Sequence, residues 1–200
     1  GYSADMPMES AWRDARICRI YEGTNEINRM LTVGMLIKKA MKGQLDLIGP
    51  ATAVGEELLG VPSFDLPDFT EPLSEEKSFL KNLKKVFLMI AGAGVQKYGT
   101  DIEKHQQFLL AVSDILIEIY LVESAILRTE KNINRYGLDT QDMQLAMTKL
   151  YLFQAVEKIQ TKGKEAIISS VEGDEQKMLL MGLKRFTKYV NYPNVIGLRE

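Results

Sequence analysis

From Ser74 to Tyr136 apolar residues return every three or four positions, interrupted once by Gly99-Thr100-Asp101, and such a chain is committed to long amphipathic helices. The first run carries Phe79, Leu80, Leu83, Val86, Phe87 and Ile90, with Ser74 as its expected cap and Tyr98 as its end. The second carries Phe108, Leu109, Val112, Ile115, Leu116, Ile119, Ile126 and Leu127 and is closed by Gly137. At 1.5 Å per residue it should reach about 50 Å. A third run starts at Asp139 or Thr140 and holds Met143, Ala146, Leu150, Phe153, Val156 and Ile159 on one stripe. Glu172-Gly173-Asp174 turns the chain into a fourth, with Met178, Met181, Leu183, Phe186 and Val190, up to Pro193. Four long helices joined by short turns predict an up-down bundle over 74–200, with Phe87, Leu116, Phe153 and Phe186 in its core. No stretch alternates apolar and polar residues as a half-buried strand does, so the fold class is all-α.

Two shorter helices are expected upstream. Pro7 suits a first helical turn, where its missing N–H costs nothing, and Met8 to Arg16 runs on without a breaker. Gly23 interrupts the pattern. Thr24 then serves as an N-cap with Glu26 in the first turn, where the helix dipole favours an anion. Ile27, Met30, Leu31, Gly34, Met35 and Lys38 follow at helical spacing until Gly43. Residues 44–73 contain Pro50, Pro62, Pro67 and Pro72 with Gly49, Gly55 and Gly60, which predicts a linker interrupted by one short helix around Thr52 to Leu59. The expected parts are therefore 1–43, a linker over 44–73, and 74–200.

Lys+Arg 25 against Asp+Glu 27 leaves a net charge of -2, no signature of nucleic-acid binding. The lone Cys18 excludes an internal disulfide framework and a Cys-based zinc site, and fits a reducing compartment. Residues 1–8 lack the basic start and apolar run of a secretory signal, and Val86 to Gln96 is about half the ~20 residues that span a bilayer. Opening on Gly1 rather than Met, the chain is expected to be a fragment of a longer protein.

Chemistry is concentrated around Glu22. There a carboxylate precedes a glycine that permits close backbone approach, and a fresh helix N-terminus follows. This suits a base held at the end of a loop with free N–H groups beside it. A plain helical corner with a solvated glutamate has the same spacing.

The string Trp12-Arg13-Asp14-Ala15-Arg16-Ile17-Cys18-Arg19-Ile20-Tyr21-Glu22-Gly23-Thr24-Asn25-Glu26-Ile27-Asn28-Arg29 resembles the signature near the C-terminus of the acyl-CoA dehydrogenases. The resemblance is dense over 1–36. The continuation beyond Gly43, through to Tyr192-Pro193-Asn194-Val195-Ile196-Gly197-Leu198, is similar to very-long-chain members with an extra helical domain. The resemblance implies that residues 1–43 are the last two helices of a catalytic domain. It implies an enzyme that oxidises fatty acyl-CoA to trans-2-enoyl-CoA in β-oxidation, with FAD as cofactor and an electron-transferring flavoprotein as acceptor. It makes Glu22 the base that takes the α-proton while the β-hydrogen leaves as hydride. Such a base should be desolvated, and the substrate carbonyl polarised by the Glu22 backbone N–H and a flavin ribityl hydroxyl. Gly23 would lie against substrate, and Thr24, Asn25 and Glu26 would contact FAD. Asn25 stands where Ser or Asn is usual, and Glu26 where Glu, Gln or Asp is usual. A homo-oligomer is implied, in the bacterial cytoplasm or on the mitochondrial matrix side. Without the family's N-terminal helical and β domains, this chain alone is expected to be inactive and to retain no FAD. The rival reading is a helical interaction module for dimerisation or membrane association.

Other residues have duller expectations. Arg13, Arg16 and Arg19 should make ion pairs holding the corner rather than grip a CoA phosphate. Trp12 should be core, Cys18 a small hydrophobe, and the Met178–Met181 stretch core filler. His105 should be a solvated surface residue. Lys77, Lys81, Lys84, Lys85 and Lys97 should coat the outer face of a bundle helix rather than a membrane-surface helix.

Overall fold

The computed structural model describes residues 3–60 and 71–199, and among these every regular element is a helix. The α-helices are α1 (Met8–Ile17), α2 (Asn25–Met41), α3 (Ile48–Leu59), α4 (Ser74–Tyr98), α5 (Gln106–Tyr136), α6 (Asp142–Ser170) and α7 (Gly173–Phe186). Short 3-10 turns, Gly99–Lys104 and Leu138–Thr140, join α4 to α5 and α5 to α6. None of these helices is long and apolar enough to cross a membrane.

α4 ends where the sequence puts its end, because Gly99 adopts a positive φ of 50° that no ordinary side chain adopts cheaply. Gly137, at φ 88°, ends α5 after Tyr136 in the same way. The N-cap of α4 is Leu73, at φ 62°, and the expected cap Ser74 is instead the first helical residue. Gly43 closes α2 with two reversed hydrogen bonds: its own N–H donates to Ala40 O at 3.0 Å and that of Gln44 to Lys39 O at 2.9 Å.

α4, α5, α6 and α7 surround a core whose sealed members include Leu83, Val86, Ile90, Ile115, Ile126, Val156, Ile159 and Ile167. Phe87 and Phe186 are buried in it, while Leu116 and Phe153 pack against it half-buried. α7 ends at Phe186, short of the expected Pro193. Within the Met178–Met181 stretch, Met178 packs on the core and Met181 faces solvent.

Several polar bridges tie α5 to α6, and two of them involve hydroxyl groups. The hydroxyls of Thr129 and Thr148 meet at 2.8 Å in the interior, and Tyr151 Oη donates to Glu118 Oε2 at 2.8 Å. Burial and that glutamate together raise the Tyr151 phenol well above its ordinary range.

The stretch expected to be mostly linker holds a helix of 12 residues, α3, which starts at Ile48. Pro50 is its third residue, still in the first turn, where no intrahelical N–H bond is lost. Val54 is buried and Leu58 packs on the common core. Glu57 binds α3 to two neighbours: its carboxylate pairs with Lys85 of α4 at 2.8 Å, and its carbonyl accepts from Arg185 of α7 at 3.1 Å. Pro62 and Pro67 lie outside the described residues.

Lysines of α4 take part in the same kind of stitching. Lys84 pairs with Glu123 of α5 at 2.6 Å, and Lys77 pairs with Glu130.

Candidate active site

α1 buries none of its residues. Trp12, expected in the core, is 58% exposed, with the Arg16 guanidinium over its ring at 5.6 Å. An apolar stripe fixes which face of a helix wants cover, but not whether the neighbouring residues supply it. Arg13 pairs with Glu9 one turn back at 2.9 Å, so two of the three arginines are engaged within α1.

After α1 the chain unwinds through residues 18–24. Cys18 is exposed, and its sulfur lies 3.5 Å from Tyr21 Oη, a contact that raises the Tyr21 phenol above its usual value. The corner is closed by Asn25 N–H donating to Arg19 O at 3.1 Å. Between these residues stand Glu22 at φ 52° and Gly23 at φ 93°. A non-glycine residue in the left-handed region is strained by roughly 1–2 kcal/mol and persists only where its surroundings hold it.

The hold is visible. Asn28 Nδ2 donates to Gly23 O at 2.8 Å. The same asparagine explains the glycine, since a Cβ at position 23 would stand 2.7 Å from Asn28 Oδ1. Thr24 is the N-cap of α2, its hydroxyl accepting from Ile27 N–H at 3.4 Å. Asn25 and Glu26 follow as the first two residues of α2, both exposed.

Glu22, Gly23, Thr24, Asn25 and Glu26 thus form one continuous feature: a strained turn opening onto a capped helix N-terminus. The Glu22 carboxylate faces solvent, and Asn25 and Glu26 offer polar side chains at the positive end of a helix dipole. The recess of about 400 Å³ between the start of α4, α6 and residues 189–198 is lined by Glu75, Glu76, Lys149 and Tyr189, and by none of residues 22–26. Among the described residues no group of three His, Cys, Asp or Glu is placed to hold a metal. His105, exposed, stacks on Tyr98 with ring centroids 3.7 Å apart.

Sequence reasoning missed Asn28 and Arg29. Both sit on the second turn of α2, Asn28 facing back to the turn and Arg29 reaching Asp114 of α5 at 3.2 Å. A polar pair inside an otherwise apolar periodic run was the available signal.

Two family models, each described as the acyl-CoA dehydrogenase C-terminal domain, match this chain, one over residues 82–185 and the other over residues 1–36. The first match covers just over half of the chain. The chain belongs to the acyl-CoA dehydrogenase family. A probable acyl-CoA dehydrogenase of Bacillus subtilis is 39% identical over 200 residues, 98% of this chain and 32% of that protein. The short-chain specific mitochondrial acyl-CoA dehydrogenase of Bos taurus is 55% identical over 38 residues, 19% of this chain and 9% of its own length. A crystal structure of an acyl-CoA dehydrogenase complexed with FAD from Bacillus anthracis superposes with a TM-score of 0.85 at 39% identity, covering 100% of this chain and 33% of that one. This acyl-CoA dehydrogenase chain therefore spans about a third of the length of the relatives it matches end to end. The shorter of the two family matches contains the whole strained turn.

Proposed function

We propose that the chain supplies the base-bearing turn of a flavin-dependent acyl-CoA dehydrogenase that converts fatty acyl-CoA to trans-2-enoyl-CoA in β-oxidation. Glu22 is the base. Its carboxylate takes the proton from the carbon next to the thioester carbonyl, and the β-hydrogen leaves with its electron pair as hydride. FAD, when bound, supplies the acceptor for that hydride, and an electron-transferring flavoprotein drains the electrons onward.

Gly23 leaves room for the thioester to lie against the backbone. Thr24, Asn25 and Glu26 fit the polar atoms of a flavin, presenting hydroxyl, amide and carboxylate groups together at a helix N-terminus. Gripping a cofactor of that size needs more surface than these three residues offer. A carboxylate this exposed is also a weak base toward a C–H bond. Its shielding from water belongs to protein surface beyond these residues, consistent with relatives about three times as long.

The observation that carries the reading is Glu22 itself, fixed at φ 52° two residues before the α2 cap by Asn28 and Asn25. In the full-length enzyme Glu22→Gln keeps size and hydrogen bonding but removes the base. Turnover should fall by about 10²-fold or more with FAD content unchanged. A variant retaining more than about a tenth of the wild-type rate refutes the assignment.

The remaining features extend the reading. Residues 1–43 would be the last helices of the catalytic domain and 74–200 an added helical domain of the very-long-chain type, bridged by 44–73 with α3 docked across it. The enzyme would be a homo-oligomer of the bacterial cytoplasm or mitochondrial matrix.

A second reading, a helical module for dimer contact or membrane association, is favoured by the exposed Met8, Trp12, Ile20, Ile27 and Leu31. A chain that stays monomeric and fails to sediment with anionic vesicles removes it.

A further inference from the structure

α2 is seated on α5 and on the 3-10 turn before it. Its middle is anchored by apolar contact: Val33 is 0% exposed, and both Val33 and Ile37 belong to the core that α5 shares. Its amino-terminal end is held differently. Arg29 Nη1 lies 3.2 Å from Asp114 Oδ1, with both side chains largely covered, and Arg29 Nε is buried without a hydrogen-bond partner. The next residue back, Asn28, donates to Gly23 O. Adjacent residues on a helix point about 100° apart at 3.6 residues per turn, which lets one turn of α2 grip both the Glu22 corner and α5.

We propose that Asp114 is a positioning residue for the Glu22 turn, acting through Arg29 and the first turns of α2. A function for the C-terminal helical part follows: α5 sets the angle at which α2 presents its N-terminus. Removing the carboxylate charge leaves Arg29 half-covered and unpaired, a state relieved by letting the guanidinium swing to water. Val33 keeps α2 seated, so the helix pivots rather than detaches. Asn25 lies about 12 Å along the axis from Val33 at 1.5 Å per residue, so a tilt of about 5° displaces it by about 1 Å. A displacement of that size at a reacting group can cost up to about 10²-fold in rate.

The test has two arms, because the effect on activity rests on the reading of Glu22 as base while the effect on the turn does not. In this chain, hydrogen exchange is followed at the Asn25 and Asn28 amides for wild type and Asp114→Asn. The expected result is exchange about tenfold faster at those amides, with Val86 and Ile115 unchanged, and recovery in Asp114→Glu. Unchanged rates at Asn25 and Asn28, or equal acceleration throughout α4 and α5, overturn the proposal. In the full-length enzyme, Asp114→Asn should lower kcat about tenfold at constant KM and FAD content, with Asp114→Glu restoring most of it. With Glu22→Gln inactive, a kcat within about twofold of wild type, or loss of FAD in proportion to activity, overturns it as well. Arg29→Lys, which keeps the charge on a differently shaped head, should give the same exchange pattern in milder form. An Arg29→Lys chain identical to wild type at Asn25 and Asn28 argues against the link. Should Glu22→Gln remain active while Asp114→Asn still loosens the turn, the base assignment fails and the positioning stands.

Discussion

At Gly94 the backbone of α4 meets α5 so closely that a single methyl group decides the outcome. A Cβ there would stand 2.2 Å from Phe108 Cζ and 2.3 Å from Cε1. The ring has little room to retreat, being 3% exposed and set edge-on to Tyr98 with centroids 5.5 Å apart. Gly94→Ala gains about 1 kcal/mol of helix propensity. Against this, the ring must move by more than 1 Å to restore a carbon–carbon contact of about 3.5 Å, and overpacking of this kind costs about 1–3 kcal/mol or more. The net expectation is a loss of up to about 2 kcal/mol, a fall in Tm of up to about 8 °C for a chain of this size. A far-ultraviolet circular dichroism melt measures it. The control is Gly55→Ala in α3, where nothing lies within 4 Å of the added Cβ and the same propensity gain goes unopposed. In a double-mutant cycle, Phe108→Leu should recover part of the Gly94→Ala loss, giving a coupling of about 1 kcal/mol. A Gly94→Ala protein that melts as high as Gly55→Ala would refute the close approach of α4 and α5.

Thr129→Val strands the buried Thr148 hydroxyl and should cost about 1–3 kcal/mol in urea denaturation, while adding Thr148→Val should return most of that loss. This chain, purified and incubated with FAD, should stay colourless after desalting, and a stoichiometric flavin absorbance would contradict the partial-site reading. The Glu22→Gln and Asp114→Asn experiments complete the set, one addressing the proton transfer and the other the support beneath it.

Much of the architecture could be read from spacing. Periodicity alone locates α4 and α5, and Gly99 and Gly137 mark their ends because each adopts a positive φ. Thr24 was legible as a cap for the same local reason: its hydroxyl serves an N–H three residues on. What local pattern could not convey was partnership. Pro50 reads as a breaker until it is known to stand in a first turn, and nothing near Glu57 announces Lys85 or Arg185, which are distant in the chain. Trp12 looked like core because a large ring usually is, yet α1 buries none of its residues. At the candidate site the residue types were legible, the strain at Glu22 was not, and Arg29 gained meaning only when Asp114 came beside it.

The left-handed backbone at Glu22 also shapes what selection would find there. Glycine would relax that turn, and asparagine would tolerate it better than glutamate, each recovering on the order of 1 kcal/mol. A library of this chain screened for heat resistance should therefore accumulate Glu22→Gly and Glu22→Asn, discarding the carboxylate assigned to proton abstraction. Variants bred for robustness and variants bred for turnover would part company at this one position.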